Sequence, residues 1–186
     1  MNRTSRLCVV LALAVAVVSC GGNSSLDNSA ATVFLTVDIQ EYTPDINICT
    51  QAGDITIDTM EITSNPKDPG GTVSANQDVT LTRWVITPYR TDGGSTASPE
   101  WSYDQAVFVP AGGSAGLDNY RVYPFEFLSE VPLANLLPEN GGFDPETGNT
   151  NIRQSLELQI FGRTASGKSI ATDKVSIAFN FFCSGQ

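Results

Sequence analysis

Residues 175–183 read VSIAFNFFC. Val175, Ile177, Phe179 and Phe181 share one parity, and Cys183 continues it. A period of two is the signature of a strand with one buried face. Four large apolar residues on that face need a second layer of structure to cover them. The thiol of Cys183 is therefore expected at the end of a core-facing stripe.

Working outward, the same period recurs. Leu156, Leu158 and Ile160 alternate ahead of Ser166-Gly167, a hairpin signal, and the last strand is expected from about Lys168 to Phe182. Residues 116–129 hold Leu117, Tyr120, Val122, Tyr123, Phe125 and Phe127, with Pro124 inside the run. Proline has no N–H to give a ladder, so this reads as an edge or bulged strand. Residues 105–109, QAVFV, form a short strand between Pro99 and Pro110. Val79 and Leu81 are followed by Trp84 and Ile86 on the shifted parity, and Asp92-Gly93-Gly94 ends that strand. Ile55 and Ile57 likewise give way to Met60 and Ile62, which predicts a bulge between them. Val33, Leu35, Val37 and Ile39 alternate without interruption. Residues 64–77, rich in Asn, Pro and Gly, read as a loop. Residues 130–152 read as a long connection, with LANLL at 133–137 fitting one helical turn. The sum is an all-β domain of seven strands in an antiparallel β-sandwich, spanning residues 32–186.

The N-terminus has a different character. Leu7 to Val18 is an apolar run of 12 residues behind Arg3 and Arg6, closed by Val17-Val18-Ser19-Cys20. A membrane-spanning helix needs about 20 residues, so the run is too short to be one. It reads as a signal segment, residues 1–19, with a plain secretory peptide cleaved elsewhere as the other reading. The closing residues resemble the lipobox of bacterial lipoproteins, with Val17 where Leu is commonest. That resemblance implies cleavage behind Ser19, acylation of Cys20 and a stable anchor through several acyl chains. Gly21 in place of Asp after the cysteine implies, by the same resemblance, transport to the outer membrane. Residues 20–31, small and polar after Cys20, read as a flexible tether holding the domain close to the membrane.

Losing residues 1–19 removes Arg3 and Arg6 and no acid, which leaves 8 Lys and Arg against 20 Asp and Glu. Such a surface repels phosphate backbones, so nucleic acid is not an expected partner. Beside Cys20, the thiols left are Cys49 and Cys183. An exported compartment permits their pairing, and Cys183 stands where it can bridge the loop of Cys49; two free thiols are the alternative. Two cysteines without a histidine do not make the usual closed zinc site.

Residues 81–94, LTRWVITPYRTDGG, and 156–171, LELQIFGRTASGKSIA, resemble the central strand and final hairpin of immunoglobulin-like or fibronectin type III-like modules. In that resemblance Trp84 stands for the buried tryptophan. The cysteines depart from it, since that family bridges its second and sixth strands and Cys183 follows the seventh. The architecture is implied and the disulfide is not.

Several motifs suggest chemistry. Gly112-Gly113-Ser114-Ala115-Gly116 is a literal G-x-S-x-G, but a nucleophile elbow needs a strand-to-helix turn and a histidine, and the chain has no histidine. Ser64-Asn65-Pro66-Lys67 matches S-x-x-K without the helix start that acyl transfer uses. Asp144 to Asn149, DPETGN, has oxygen ligands at alternate positions, with glycine at the fifth position instead of the sixth that a calcium loop uses. Asp38, Glu41, Asp45, Asp54, Asp58 and Glu61 crowd the first two strands, as a cation patch or a solvated face. Arg83, Tyr89, Arg90 and Trp101 are candidates for a sugar- or peptide-binding surface, while Trp84 reads as core. No catalytic residue, cofactor or metal ligand is expected. The expected function is a membrane-anchored binding or scaffolding module for an envelope protein or a glycan, with the 130–152 connection as its contact region. A hydrolase using carboxylates alone, such as a glycosidase, is the alternative.

Overall fold

A computed structural model describes residues 31–185. The signal reading and the tether reading as far as residue 30, including Cys20, lie outside the described residues, whereas Ala31, read as tether, is buried in the core. The described chain is all-β, with nine strands and a few short 3-10 turns. The strands are β1 (Val33–Tyr42), β2 (Asp45–Asn47), β3 (Ile55–Pro66), β4 (Val79–Arg90), β5 (Trp101–Val109), β6 (Ser114–Tyr123), β7 (Asn151–Thr164), β8 (Ser169–Ala171) and β9 (Val175–Phe182). One sheet has the order β1-β3-β6, and the other β2-β9-β7-β4-β5 with β8 paired to β7. Residues from both sheets enter one buried cluster, including Val33, Ile57 and Ile62 from the first and Leu81, Trp84, Leu156 and Phe181 from the second. Two sheets sharing one core is an arrangement compatible with a β-sandwich.

Alternation drives the burial. Along β9, Ile177, Phe179 and Phe181 are buried while Ser176 and Ala178 are exposed. Both expected irregularities occur where parity shifts. The β1–β3 pairing slips around Glu41 opposite Thr59, and β4 slips between Leu81 and Arg83 against both neighbours. At the second slip Gly162 of β7 lies so close to β4 that an added Cβ would stand 2.3 Å from the Thr80 carbonyl oxygen. Only glycine fits that approach.

The expectation of seven antiparallel strands is corrected in three places. First, β2 pairs with β9 in parallel, Asp45 opposite Asn180 and Asn47 opposite Phe182. The chain leaves β1 at Tyr42 and crosses to the other sheet without reversing direction, and the Asn180 amide donates to the Pro44 carbonyl at 2.8 Å to seat it. Second, the final strand is broken at Thr172. That residue turns inward, where its Oγ1 accepts from Ile160 N at 3.0 Å and its N–H donates to the Ile160 carbonyl at 2.9 Å. Third, the 116–129 run ends as a strand at Tyr123, and Pro124 opens a 3-10 turn over Phe125–Ser129. β6 is an edge strand, as the proline suggested. Residues 64–66 belong to β3 instead of a loop. The 133–137 turn is a 3-10 turn, Leu133–Leu136.

Strand directions sort the connections onto two poles. The chain enters at Ala31 on the pole that also holds residues 67–78, 110–113 and 165–168. There Lys67 N donates to Thr32 O, Ala165 N to Asp78 O and Ser166 N to Asn76 O. The opposite pole holds residues 43–54, 91–100 and 124–150, and there Thr91 N donates to Arg153 O. The longest connection, 124–150, thus lies at the pole away from the point of entry.

Candidate functional site

The pole of the longest connection contains three assemblies. The first is the disulfide. Cys49 and Cys183 are bonded, with Cα atoms 5.2 Å apart. The bridge closes the 43–54 loop onto the end of β9. Asn47 reinforces it: its Nδ2 donates to Ser184 O at 2.9 Å, and its Oδ1 accepts from Cys49 N at 3.2 Å.

Beneath that loop lies a pocket of about 180 Å³ lined by Thr43, Asp45, Ile46, Gln51, Asp54, Ile55, Thr56 and Asp58. It gathers three of the six acids singled out in the sequence. Two are already engaged. Asp45 Oδ1 accepts from Asn180 Nδ2 at 2.9 Å, and Asp54 accepts from the Phe125 amide at 2.8 Å and from Arg121 at 3.2 Å. The other three acids stand elsewhere: Asp38 and Glu61 face each other across β1 and β3, and Glu41 is opposite Thr59. Among the described residues no group of three or more histidine, cysteine or acidic side chains is arranged to hold a metal ion.

The second assembly is a buried charge cluster. Arg90 ends β4 with its side chain 1% exposed. Its guanidinium donates to both carboxylate oxygens of Asp92, at 2.8 and 2.9 Å, and to Asp144 Oδ2 at 2.7 Å. Burial would raise the carboxyl of Asp92, but hydrogen bonds from Arg90, Arg153 N and Gly94 N outweigh it and hold it down at about 2. Asp144 is lowered too, since Arg90, Thr147 and the Glu146 amide together outweigh its burial. Gly94 is required here, because a Cβ would stand 2.4 Å from the Arg90 guanidinium. Next to it, Glu146 accepts from the amide and hydroxyl of Ser95 and of Thr96. The Thr96 hydroxyl and these amides lower its carboxyl to about 2. The DPETGN loop is thus a clasp on the 91–98 loop, its Asp144 turned into the protein onto Arg90. Arg90 likewise leaves the proposed sugar-binding surface, since its guanidinium is buried. A signal for it stood in the sequence: Arg90-Thr91-Asp92-Gly93-Gly94 puts a cation, an acid and two glycines at a strand end.

The third assembly is an aromatic seam between the edge strands β5 and β6. Trp84 and Tyr120 have ring centroids 4.2 Å apart, and Trp101 stacks on Tyr103 at 4.7 Å. Trp101 Nε1 donates to the Val122 carbonyl and Tyr103 Oη to the Arg121 carbonyl, each at 3.1 Å. The Arg121 guanidinium lies over both rings, 5.1 and 5.7 Å from their centroids, a cation–π arrangement. Burial raises the hydroxyl ionisation of Tyr103 and Tyr120, so both stay neutral, and the Tyr120 hydroxyl is buried without a hydrogen-bond partner. The remaining candidates do not join this seam. Arg83 pairs with Asp104 at 3.7 Å on the solvent face, and exposed Tyr89 bonds Ser176 at 3.0 Å. Trp84 is fully buried core, as expected.

The serine motifs are structural. Ser114 begins β6 directly after a turn, opposite Thr63, with no helix behind it. Ser64 is buried in β3, without a hydrogen-bond partner for its hydroxyl. The shifted carboxyls, Asp92, Asp144 and Glu146, are all lowered. No protein-family model matches this chain, and no curated protein matches it in sequence.

Proposed function

We propose that the chain is an exported lipoprotein, anchored in the outer membrane through acylated Cys20, whose immunoglobulin-like sandwich is a non-catalytic binding or scaffolding module. The observation that carries this reading is the Cys49–Cys183 bridge. Disulfides form and persist outside the reducing cytosol, which agrees with the signal-like stretch ending at Cys20. The binding role is supported by the length of the 124–150 connection, since loops of such length on a rigid scaffold commonly carry function. The buried carboxylates of Asp92 and Asp144 are paired with Arg90, which favours a structural role for them.

Mass spectrometry of the purified N-terminus tests the anchor, with a diacylglyceryl-modified Cys20 expected. An unmodified Cys20 or a retained Met1 overturns it. The non-catalytic role falls if the purified chain turns over a glycan and replacing Asp45 or Asp58 abolishes turnover without unfolding.

A further inference from the structure

The two poles differ in charge. The connections 43–54, 91–100 and 124–150 contain nine acidic residues and no lysine or arginine. All three lysines, Lys67, Lys168 and Lys174, lie in other connections. Of the nine acids, Asp92 and Asp144 are turned inward onto Arg90, whereas Glu126, Glu130 and Glu139 are exposed. The same 124–150 connection exposes three large apolar side chains: Phe125 at 43%, Val131 at 58% and Phe143 at 47%. Its interior is well anchored, with Leu128, Leu133 and Leu136 buried. The exposed apolar residues therefore stand on a fixed scaffold.

We infer that this pole docks a cationic amphipathic segment of a partner protein. Phe125, Val131 and Phe143 supply the apolar contact, and Glu126, Glu130 and Glu139 supply the countercharge. The inference rests on the reading of the domain as a binding module and names the chemistry of its partner. Charge complementarity selects the occupant. A second copy of the chain would set acid against acid. An anionic lipid surface or a nucleic acid would be repelled for the same reason.

The test uses the full chain in neutral detergent and two labelled synthetic peptides, one alternating lysine with leucine and one alternating glutamate with leucine. Binding is read by fluorescence anisotropy. The lysine–leucine peptide is expected to bind, and the glutamate–leucine peptide is not. Phe125→Ser with Phe143→Ser, and separately Glu126→Lys with Glu130→Lys, should each weaken binding about tenfold or more, as loss of anchor residues does. Phe108→Ser removes a more exposed phenylalanine near the opposite pole, on β5, and should leave binding within about twofold. All four replaced pole residues are exposed, and circular dichroism checks that the variants are folded. The proposal is overturned if the pole variants bind like the unaltered chain, if Phe108→Ser weakens binding equally, or if the acidic peptide binds as well. Sedimentation showing self-association abolished by the phenylalanine variants would instead assign the surface to a second copy, and overturn it too. A partner recovered through another surface would leave the binding-module reading standing while this proposal fell.

Discussion

Arg90 and Asp144 meet at 2.7 Å with both side chains 1% exposed, although 54 residues separate them. This contact ties the end of β4 to the longest connection in the domain. Removing a buried partner leaves an uncompensated charge, which costs far more than the pair contributes. Arg90→Met leaves the carboxylates of Asp92 and Asp144 buried without a cation and should lower unfolding free energy by about 3–5 kcal/mol. Asp144→Asn should cost much less, because Arg90 keeps its contact with both oxygens of Asp92. Urea denaturation of the two variants checks this, and equal losses would show that packing, not charge, dominates the cluster. The same geometry means that excising residues 139–150 would destabilise the fold, so the contact role of that connection is better probed by point substitution.

Acid should loosen the clasp. Asp92 and Glu146 both have carboxyls lowered to about 2 in the folded protein. Unfolded, they would titrate at about 3.9 and 4.3. A lowered folded value means that the stabilisation is complete above the unfolded value and lost as pH falls toward the folded one. Stability should therefore hold from neutrality to about pH 5 and fall between about pH 4 and 2. Glu146→Gln should flatten part of that fall, as read from urea midpoints across pH. An unchanged slope would mean the Ser95 and Thr96 contacts do not persist in solution.

The disulfide joins residues 134 apart in sequence. In the chain-entropy model a loop of this length is worth about 5 kcal/mol. Cys49→Ser with Cys183→Ser should lower the urea midpoint accordingly, with little change in far-ultraviolet circular dichroism at low denaturant. Alkylation under non-reducing conditions should label neither cysteine in the unaltered chain. Labelling of both would refute the bridge.

Gly162→Ala tests the β4 irregularity. The added methyl would stand 2.3 Å from the Thr80 carbonyl oxygen and 2.7 Å from the Leu81 Cα. Backbone cannot yield as a flexible side chain does, so a loss of about 1–3 kcal/mol is expected from overpacking. Gly116→Ala, where an added Cβ meets nothing within 4 Å, is the control. Calorimetric Tm values separate the two, and similar Tm values would show that the close approach relaxes.

The sequence by itself determined most of the long strands, the faces they bury and where β3 and β4 shift parity. These properties follow from a local period of two, and Trp84 and Phe181 are buried because their parity puts them there. The cysteine pairing was legible by exclusion, because Cys49 and Cys183 are the thiols that remain once Cys20 is assigned to lipid, and from the parity that puts Cys183 on the core-facing stripe. Tertiary structure decided the rest. The parallel seat of β2 depends on β9 being within reach of a chain that keeps its direction after Tyr42. The inward turn of Thr172 depends on unpaired backbone groups at Ile160. Arg90 and the DPETGN loop read as surface features because charged residues usually are. Their burial depends on a partner many residues away, and no local pattern in the chain records which carboxylate will neutralise which guanidinium.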